Sequence, residues 1–274
     1  MPLPNEADLA FLRQLEQSVS LALASESEAV LSGPFRAFFS PFTADPELNY
    51  AMPIAQPEGP DGFPAALAAA RQVFAARQRR LRLEFTEELW PSLVQAAEQE
   101  GLDLVGREPL MICRPAEFRP APPSGVSVAL LTPHASDDAL LAFLEIRSAE
   151  GEDPEPVGLA SLLRLREALQ ADNDWYALAT LDGQLVGTGR CQVSAVGWGE
   201  ISAIVTRPDS RRRGVARAVT SALVQRYLDA GGTLAWLSAA NPTAQRVYMR
   251  LGFSIVGSLL NYEEPAAEHA NETV

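Results

Sequence analysis

The order of apolar and polar residues along the chain predicts short strands and amphipathic helices that alternate through two successive halves. In residues 126–264 the pattern indicates a strand, two helices, three strands, a helix, a strand, a helix and a final strand. Residues 1–114 begin with a periodic helix over residues 6–24. The elements predicted after it are strands at 35–42 and 48–54, a helix at 64–79, a strand at 81–85, a helix ending at 100 and a strand at 103–113. We therefore expect an α/β (α+β) fold.

A proline-rich segment separates the two halves. Residues 114–125 contain four prolines in a dozen positions, a composition typical of a stiff linker. We therefore predict an N-terminal domain at 1–114, a linker at 115–125 and a C-terminal domain at 126–274.

The most informative segment is the basic string Arg211-Arg212-Arg213-Gly214-Val215-Ala216. It follows a predicted strand at 200–206 and opens a predicted helix that closes at Gly231-Gly232. The first amides of a helix have no partners within the helix and carry the positive end of its dipole, and glycine and alanine let an anion approach the backbone. The string therefore predicts a diphosphate site, with a solvated basic turn as the alternative.

A second string, Asn241-x6-Tyr248-x3-Gly252-Phe253, begins where the next strand ends. Asn241 and Pro242 are predicted as the N-cap and first residue of a helix. The two strings resemble, in order, the R-x-x-G-x-A and N-x6-Y-x3-GF signatures of the GNAT (Gcn5-related) N-acetyltransferase family. The element order of residues 126–264 is similar to that family as well.

The resemblance implies an N-acetyltransferase that moves an acetyl group from acetyl-CoA to a primary amine by direct attack in a ternary complex. In that family the strand before the loop splays from its neighbour, so backbone groups there pair with the pantetheine arm and polarise the thioester carbonyl. The alternative is a non-catalytic acyl-CoA-binding regulatory or interaction protein with a GNAT shell. The residues that the resemblance assigns to acetyl-CoA are Ile204, Val205, Thr206, Arg211, Arg212, Arg213, Gly214, Val215, Ala216, Arg217 and Asn241.

Two residues are predicted to be catalytic. Tyr248 matches the tyrosine that protonates the CoA thiolate in the family, and its alternative is a half-buried tyrosine that packs on the sheet. Glu200 lies eleven residues before Arg211, where histone-acetylating relatives carry their catalytic base. A solvated strand-end carboxylate is the alternative for Glu200, and a water that relays the proton is equally open. Asn241 serves as a helix cap, a cofactor contact or both.

Prolines, glycines and some apolar residues of the N-terminal half recur in the C-terminal half at an offset of 151 residues. Gly101, for example, falls on Gly252. We therefore predict two GNAT-like halves, each a mixed, mostly antiparallel sheet flanked by helices. At this offset Phe63, Pro60, Trp90 and Ala97 replace the signature residues. These replacements predict that the N-terminal half is degenerate and binds no CoA in the usual way.

Composition excludes several classes of protein. The chain has no lysine among its 22 basic residues, so a Schiff-base mechanism and a lysine-bearing nucleotide P-loop are ruled out. The net charge of −13 disfavours nucleic-acid binding. No apolar stretch approaches the ~20 residues of a membrane helix, and no signal peptide is evident. We expect a cytoplasmic protein that does not bind membranes, without a metal site, in which Cys113 and Cys191 are buried core residues.

The acceptor is expected to be a small-molecule or peptide amine. In the family the first two helices and their loop form the acceptor wall, and here they correspond to residues 135–148 and 157–169. The loop at 149–156 carries four carboxylates in eight residues, which indicates an acidic surface loop or a lip that recruits cations. The sequence does not specify the amine, the preferred acyl group or the oligomeric state.

Overall fold

The structure, a computed structural model, describes residues 6–57, 62–122, 125–149, 157–171 and 174–265. In the N-terminal half the elements are α1 (Glu6–Glu26), β1 (Glu28–Ser32), β2 (Phe35–Phe39), β3 (Asn49–Pro53), α2 (Gly62–Ala75), β4 (Arg82–Thr86), α3 (Pro91–Gln99) and β5 (Asp103–Cys113). In the C-terminal half they are β6 (Ser127–Leu130), α4 (Asp137–Ser148), α5 (Leu159–Gln170), β7 (Asp174–Leu181), β8 (Gln184–Val193), β9 (Gly199–Thr206), α6 (Val215–Asp229), β10 (Ala235–Ser238), α7 (Pro242–Met249) and β11 (Ser254–Glu263).

The predicted order of elements is confirmed with one addition, strand β1. This strand has a weak signal because most of its residues are solvent-exposed, including Leu31 at 66%. The 151-residue offset also relates the first residues of equivalent elements in the structure. Helices α3 and α7 begin at Pro91 and Pro242, and strands β5 and β11 begin at Asp103 and Ser254.

The chain forms two compact units, one of Met1–Glu108 with Gly257–Val274 and one of Pro109–Val256. These units differ from the boundaries drawn from the linker, since the end of β5 belongs to the second unit and most of β11 to the first. The reason is strand pairing. Residues 110–113 form an antiparallel ladder with β10, and residues 259–263 form one with β4. Each unit is thus completed by the last strand of the other half of the sequence.

The first unit is built on a sheet with the order β1-β2-β3-β4-β11. Strands β3 and β4 run parallel, and the other neighbours are antiparallel. Helices α2 and α3 cover one face through a core that includes Phe35, Phe74 and Phe85. Helix α1 packs Val19 and Leu23 against the other face.

The second unit has the strand order β5-β10-β9-β8-β7-β6. Strands β9 and β10 run parallel, and the other neighbours are antiparallel. Helices α6 and α7 share a core with one face of this sheet, and helices α4 and α5 share a core with the other face. Both sheets are therefore mixed and mostly antiparallel, as predicted.

Cys113 and Cys191 lie in the core on the α6 side of the second unit, almost completely buried, as the sequence predicted. Within the described part of the chain, no helix has the length and apolar character needed to cross a membrane.

Candidate active site

Strands β9 and β10 separate soon after they meet. In the ladder that the structure describes, they pair at Gly199 with Ala235 and at Glu200 with Trp236. Beyond this point β10 continues along β5 up to Ser238, whereas β9 continues along β8. The splay between these parallel strands confirms the expectation drawn from the resemblance, and it leaves backbone groups of β9 available to a strand-like ligand.

A bulge in β9 lies beside this gap. Ser202 pairs with Arg190 and Val205 pairs with Thr188, so two residues, Ala203 and Ile204, stand opposite Gly189 alone. Ala203 has a φ of 51°, in the left-handed region, which is uncommon for alanine. The bulge re-aims the side chains that follow, so that Ile204 packs on the α6 side and Val205 is buried on the α4 and α5 side.

Helix α6 begins without a side-chain cap. Gly214 is its N-cap residue, with a φ of 87°, and the first bond of the helix runs from the Ala218 amide to the Gly214 carbonyl. The amides of Val215, Ala216 and Arg217 therefore have no partner within the helix. They point out of the positive end of a helix of 15 residues, which suits an anion.

The three arginines before this glycine are exposed. Arg213 donates to the Asp182 carboxylate at 2.7 Å, and the Arg211 Nε donates to the Thr206 carbonyl at 3.2 Å. Arg212 has a φ of 63° and gives the loop a second left-handed residue. The Arg213 pair joins two exposed side chains, so it contributes little to stability and leaves this arginine easily recruited by a ligand.

Two buried polar atoms beside the loop lack a hydrogen-bond partner among the described residues. They are Thr206 Oγ1, at the end of β9, and Arg217 Nε, in the first turn of α6. Buried polar atoms are normally paired, because an unpaired one costs about 1–3 kcal/mol. The loop therefore offers free amides, positive charge and two unpaired polar atoms. The diphosphate and pantetheine parts of CoA could form hydrogen bonds with these groups.

The residues of the second string lie on helix α7. Asn241 is the exposed N-cap, and its Oδ1 accepts the amides of Thr243 and Ala244 at 3.0 Å each. The predicted cap is confirmed, and because it uses Oδ1, the side-chain nitrogen can donate to a ligand. Tyr248 is 7% exposed and packs against Phe253 in the core on the α6 side.

Glu200 lies at the point where β9 and β10 separate, on the opposite face of the sheet from Tyr248. Alternate strand residues share a face, and the ladders align Glu200 with Gln192 and Ser202 with Arg190. These residues lie on the face that carries Tyr176 and Val205, which pack against α4 and α5. The two predicted catalytic groups thus lie on different faces of the sheet.

A polar group beside Glu200, formed by Arg190, Asp174 and Tyr176, was not predicted from the sequence. The Arg190 guanidinium forms an ion pair with Asp174, and the Tyr176 hydroxyl donates to the same carboxylate at 3.1 Å. Burial raises the pKa of Tyr176 to about 12, with Arg190 opposing and Asp174 adding to the rise, so this phenol stays protonated. Arg190, a charged residue in the middle of strand β8, is the feature of the sequence from which this group could have been predicted.

An open cleft of about 510 Å³ lies between the end of α4 and the turn that follows β9. It adjoins the helices expected to form the acceptor wall, and the acidic residues 150–156 of that wall lie outside the described residues. The residues that line the cleft are Glu145, Ile146, Ala149, Arg207, Pro208 and Asp209.

The equivalent region of the first unit is filled by side chains. Phe63, at the position of Gly214, is buried and packs against Trp90, whose ring centroid lies 6.4 Å away. Glu16 accepts hydrogen bonds from the Thr86 amide at 2.6 Å and from the Trp90 indole at 2.8 Å. Pro60 lies outside the described residues.

The second unit thus combines a mixed sheet with helices on both faces, diverging parallel strands and a glycine-led helix start. Residues 139–253 match the model of the Acetyltransferase (GNAT) family. This part of the chain is a GNAT acetyltransferase domain. A comparison with curated proteins found no match.

Solved structures resemble the chain over nearly its whole length. A GCN5-related N-acetyltransferase from Kribbella flavida is 26% identical, with a TM-score of 0.77 over 94% of this chain and 97% of that one. Another from Sphaerobacter thermophilus is 18% identical, with a TM-score of 0.63 over 84% and 76%. A tandem GNAT protein from the clavulanic acid biosynthesis pathway is 15% identical, with a TM-score of 0.59 over 96% and 98%. The last two similarities show the fold, and the tandem protein matches both halves of this chain.

Proposed function

We propose that the protein is an acetyl-CoA-dependent N-acetyltransferase that acetylates a primary amine in the second unit. One observation carries the proposal. The gap between β9 and β10 leads to the uncapped start of α6, where Gly214 holds the chain in a left-handed conformation. A nucleotide with an extended thioester arm fits a site with an anion-binding end and a strand-like groove.

The residues around the loop would bind the co-substrate. The Val215, Ala216 and Arg217 amides would donate to the diphosphate, with Arg211, Arg212 and Arg213 supplying positive charge. Thr206 Oγ1 and Arg217 Nε would gain the partners that they lack. Backbone groups of Ile204 to Thr206 would pair with the pantetheine arm, and Asn241 would donate from its side-chain nitrogen.

Acetyl-CoA would supply an activated thioester carbonyl, and the protein would manage two protons. As the amine attacks, a C–N bond forms and the C–S bond breaks. Glu200, directly or through a water, would accept a proton from the nitrogen, and Tyr248 would donate one to the departing thiolate. Their placement on opposite faces of the sheet suits this division, because the acceptor and the leaving group lie on opposite sides of the carbonyl.

The cysteines favour direct transfer over a covalent acetyl-enzyme. Burial raises the pKa of Cys191 to about 12 and that of Cys113 to about 11, with carboxylates adding to both shifts. A thiol must ionise to act as a nucleophile, and these two are protonated and enclosed near neutral pH. Neither cysteine is therefore suited to carry the acetyl group, which supports direct attack of the amine on the thioester.

The experiment combines calorimetry with an activity screen. Titration with acetyl-CoA should give one site per chain, because Phe63, Trp90 and Glu16 fill the equivalent region of the first unit. A panel of a polyamine, an aminoglycoside, an amino acid, a peptide with a free N-terminus and a lysine peptide is then tested for release of free thiol.

Thiol release that requires an amine and yields its N-acetyl derivative would support the proposal. Tight binding without transfer to any amine would favour the non-catalytic acyl-CoA-binding alternative. No binding, or two comparable sites per chain, would contradict the assignment of the site.

A further inference from the structure

Arg190 occupies a position between two carboxylates on the face of the second sheet that packs against α4 and α5. Its direct neighbours across the ladders are Tyr176 on β7 and Ser202 on β9. The next row, two residues along, holds Asp174 on β7 and Glu200 on β9. Diagonal neighbours of this kind lie about 7–8 Å apart at the backbone, within reach of a long side chain.

Asp174 holds the guanidinium on one side. The Arg190 Nε donates to the Asp174 Oδ2 at 3.0 Å, a terminal nitrogen of Arg190 donates to the same oxygen, and the Tyr176 hydroxyl does so too. The side chains of Arg190 and Asp174 are 25% and 11% exposed. Charges this far from water are retained when they are paired, and several bonds to one carboxylate fix the orientation of the arginine.

We propose that Arg190, held by Asp174 and Tyr176, is a positioning residue that keeps the Glu200 carboxylate anionic. The inference rests on the proposed function for its purpose, since Glu200 is the group assigned to take the proton of the amine. Asp174 moderates the effect, because it neutralises part of the arginine charge that Glu200 would otherwise experience.

The charges around this group agree with the assignment. Burial lowers the pKa of Arg190, but Tyr176, the Asp174 carboxylate and, to the smallest extent, the Glu200 carboxylate outweigh it and raise that pKa. Arg147 reaches this region from α4, where it lies over the Phe143 ring and also acts on Tyr176. Strand β10 contributes Trp236, which is uncharged.

The test measures the titration of Glu200 directly and does not depend on activity. Side-chain carboxyl signals are followed by NMR as a function of pH, and the spectrum of Glu200→Gln identifies the signal of Glu200. Arg190→Gln should raise its titration midpoint by about one pH unit, since an opposite charge at close range lowers a carboxyl pKa by about 1–3 units. Arg190→Lys should restore most of the shift, and Asp174→Asn should move the midpoint in the opposite direction.

The matched control is Arg226→Gln. Arg226 lies over the ring of Trp175, which neighbours Asp174 in β7 but is on the other face of the sheet. The control removes the same charge on the opposite face of the sheet, and the Glu200 midpoint should not move. Binding of acetyl-CoA, measured by calorimetry, verifies that each variant is folded.

Opposite shifts in Arg190→Gln and Asp174→Asn would support the proposal, and in an active enzyme the acidic limb of kcat/KM with one fixed amine should follow them. An unchanged midpoint in folded Arg190→Gln or in folded Asp174→Asn would overturn it, and Asp174→Asn alone decides the question if Arg190→Gln does not fold. If the midpoints shift but the wild type acetylates no amine, the proposed function fails while the role of Arg190 stands.

Discussion

Gly214 permits a direct test of the loop, because its left-handed conformation can be perturbed separately from helix stability. Gly214→Ala places a Cβ on a residue with a φ of 87°, a conformation that is unfavourable for an L-residue by about 1–2 kcal/mol. If the backbone relaxes to negative φ to relieve this strain, the amides of Val215 and Ala216 turn away from a common anion.

The expected loss of affinity follows from these amides. A hydrogen bond to a charged group contributes about 1.5–3 kcal/mol, and each 1.4 kcal/mol corresponds to about tenfold in Kd. Misorienting one such amide should therefore raise the Kd for acetyl-CoA by about 10- to 100-fold in calorimetry. The strain itself should lower Tm by a few degrees.

Gly231→Ala is the matched control for this substitution. Gly231 follows the other end of the same helix, has the same φ of 87°, and a Cβ there would meet nothing within 4 Å. The two variants should lose similar thermal stability, but Gly231→Ala should bind acetyl-CoA like the wild type. Equal affinities in both variants would refute the reasoning that the Gly214 loop holds the diphosphate.

Three further predictions concern the acid, a buried carboxyl and the exchanged strands. Tyr248→Phe keeps the ring packing but removes the proton donor, so kcat should fall by about 10²- to 10⁴-fold while the Kd for acetyl-CoA is unchanged. An unchanged kcat, measured where chemistry limits turnover, would exclude Tyr248 as the general acid. Burial raises the pKa of the Glu16 carboxyl above 4.5, so the folded state is favoured while this carboxyl is protonated. This stabilisation is fully present below pH 4.5 and is lost as the pH rises through the raised pKa of the folded state. Glu16→Gln should therefore gain stability relative to the wild type as the pH rises above 4.5 in urea unfolding, and a pH-independent difference would argue against the shift. A fragment of residues 126–274 lacks residues 110–113, which pair with β10, so it should not bind acetyl-CoA. Fragment 109–256 retains these residues and should bind it, and equal binding by the two fragments would show that the exchanged strand is dispensable.

Local patterns in the sequence were sufficient to predict most elements and the candidate loop. The helix over residues 215–229 and the cap at Asn241 follow from short-range rules about periodicity, glycine and capping side chains. The offset between Gly101 and Gly252 is also readable, because both residues occupy left-handed turns that favour glycine. These signals depend on residues only a few positions apart, so they can be recognised in the sequence without the fold.

Other features required the fold, because they depend on pairing between distant segments. The end of β5 and most of β11 belong to the opposite units, and no local pattern states which sheet a strand will join. The left-handed Ala203 has no signature, since the bulge comes from the register of β8 and β9 and from the close approach that Gly189 allows. Likewise, Asp174, Arg190 and Glu200 become neighbours through a ladder register, which cross-strand packing sets in three dimensions. The sequence by itself thus determined most elements and the candidate anion-binding loop, whereas the tertiary structure decided the strand exchange, the shape of the gap and the charges that surround Glu200.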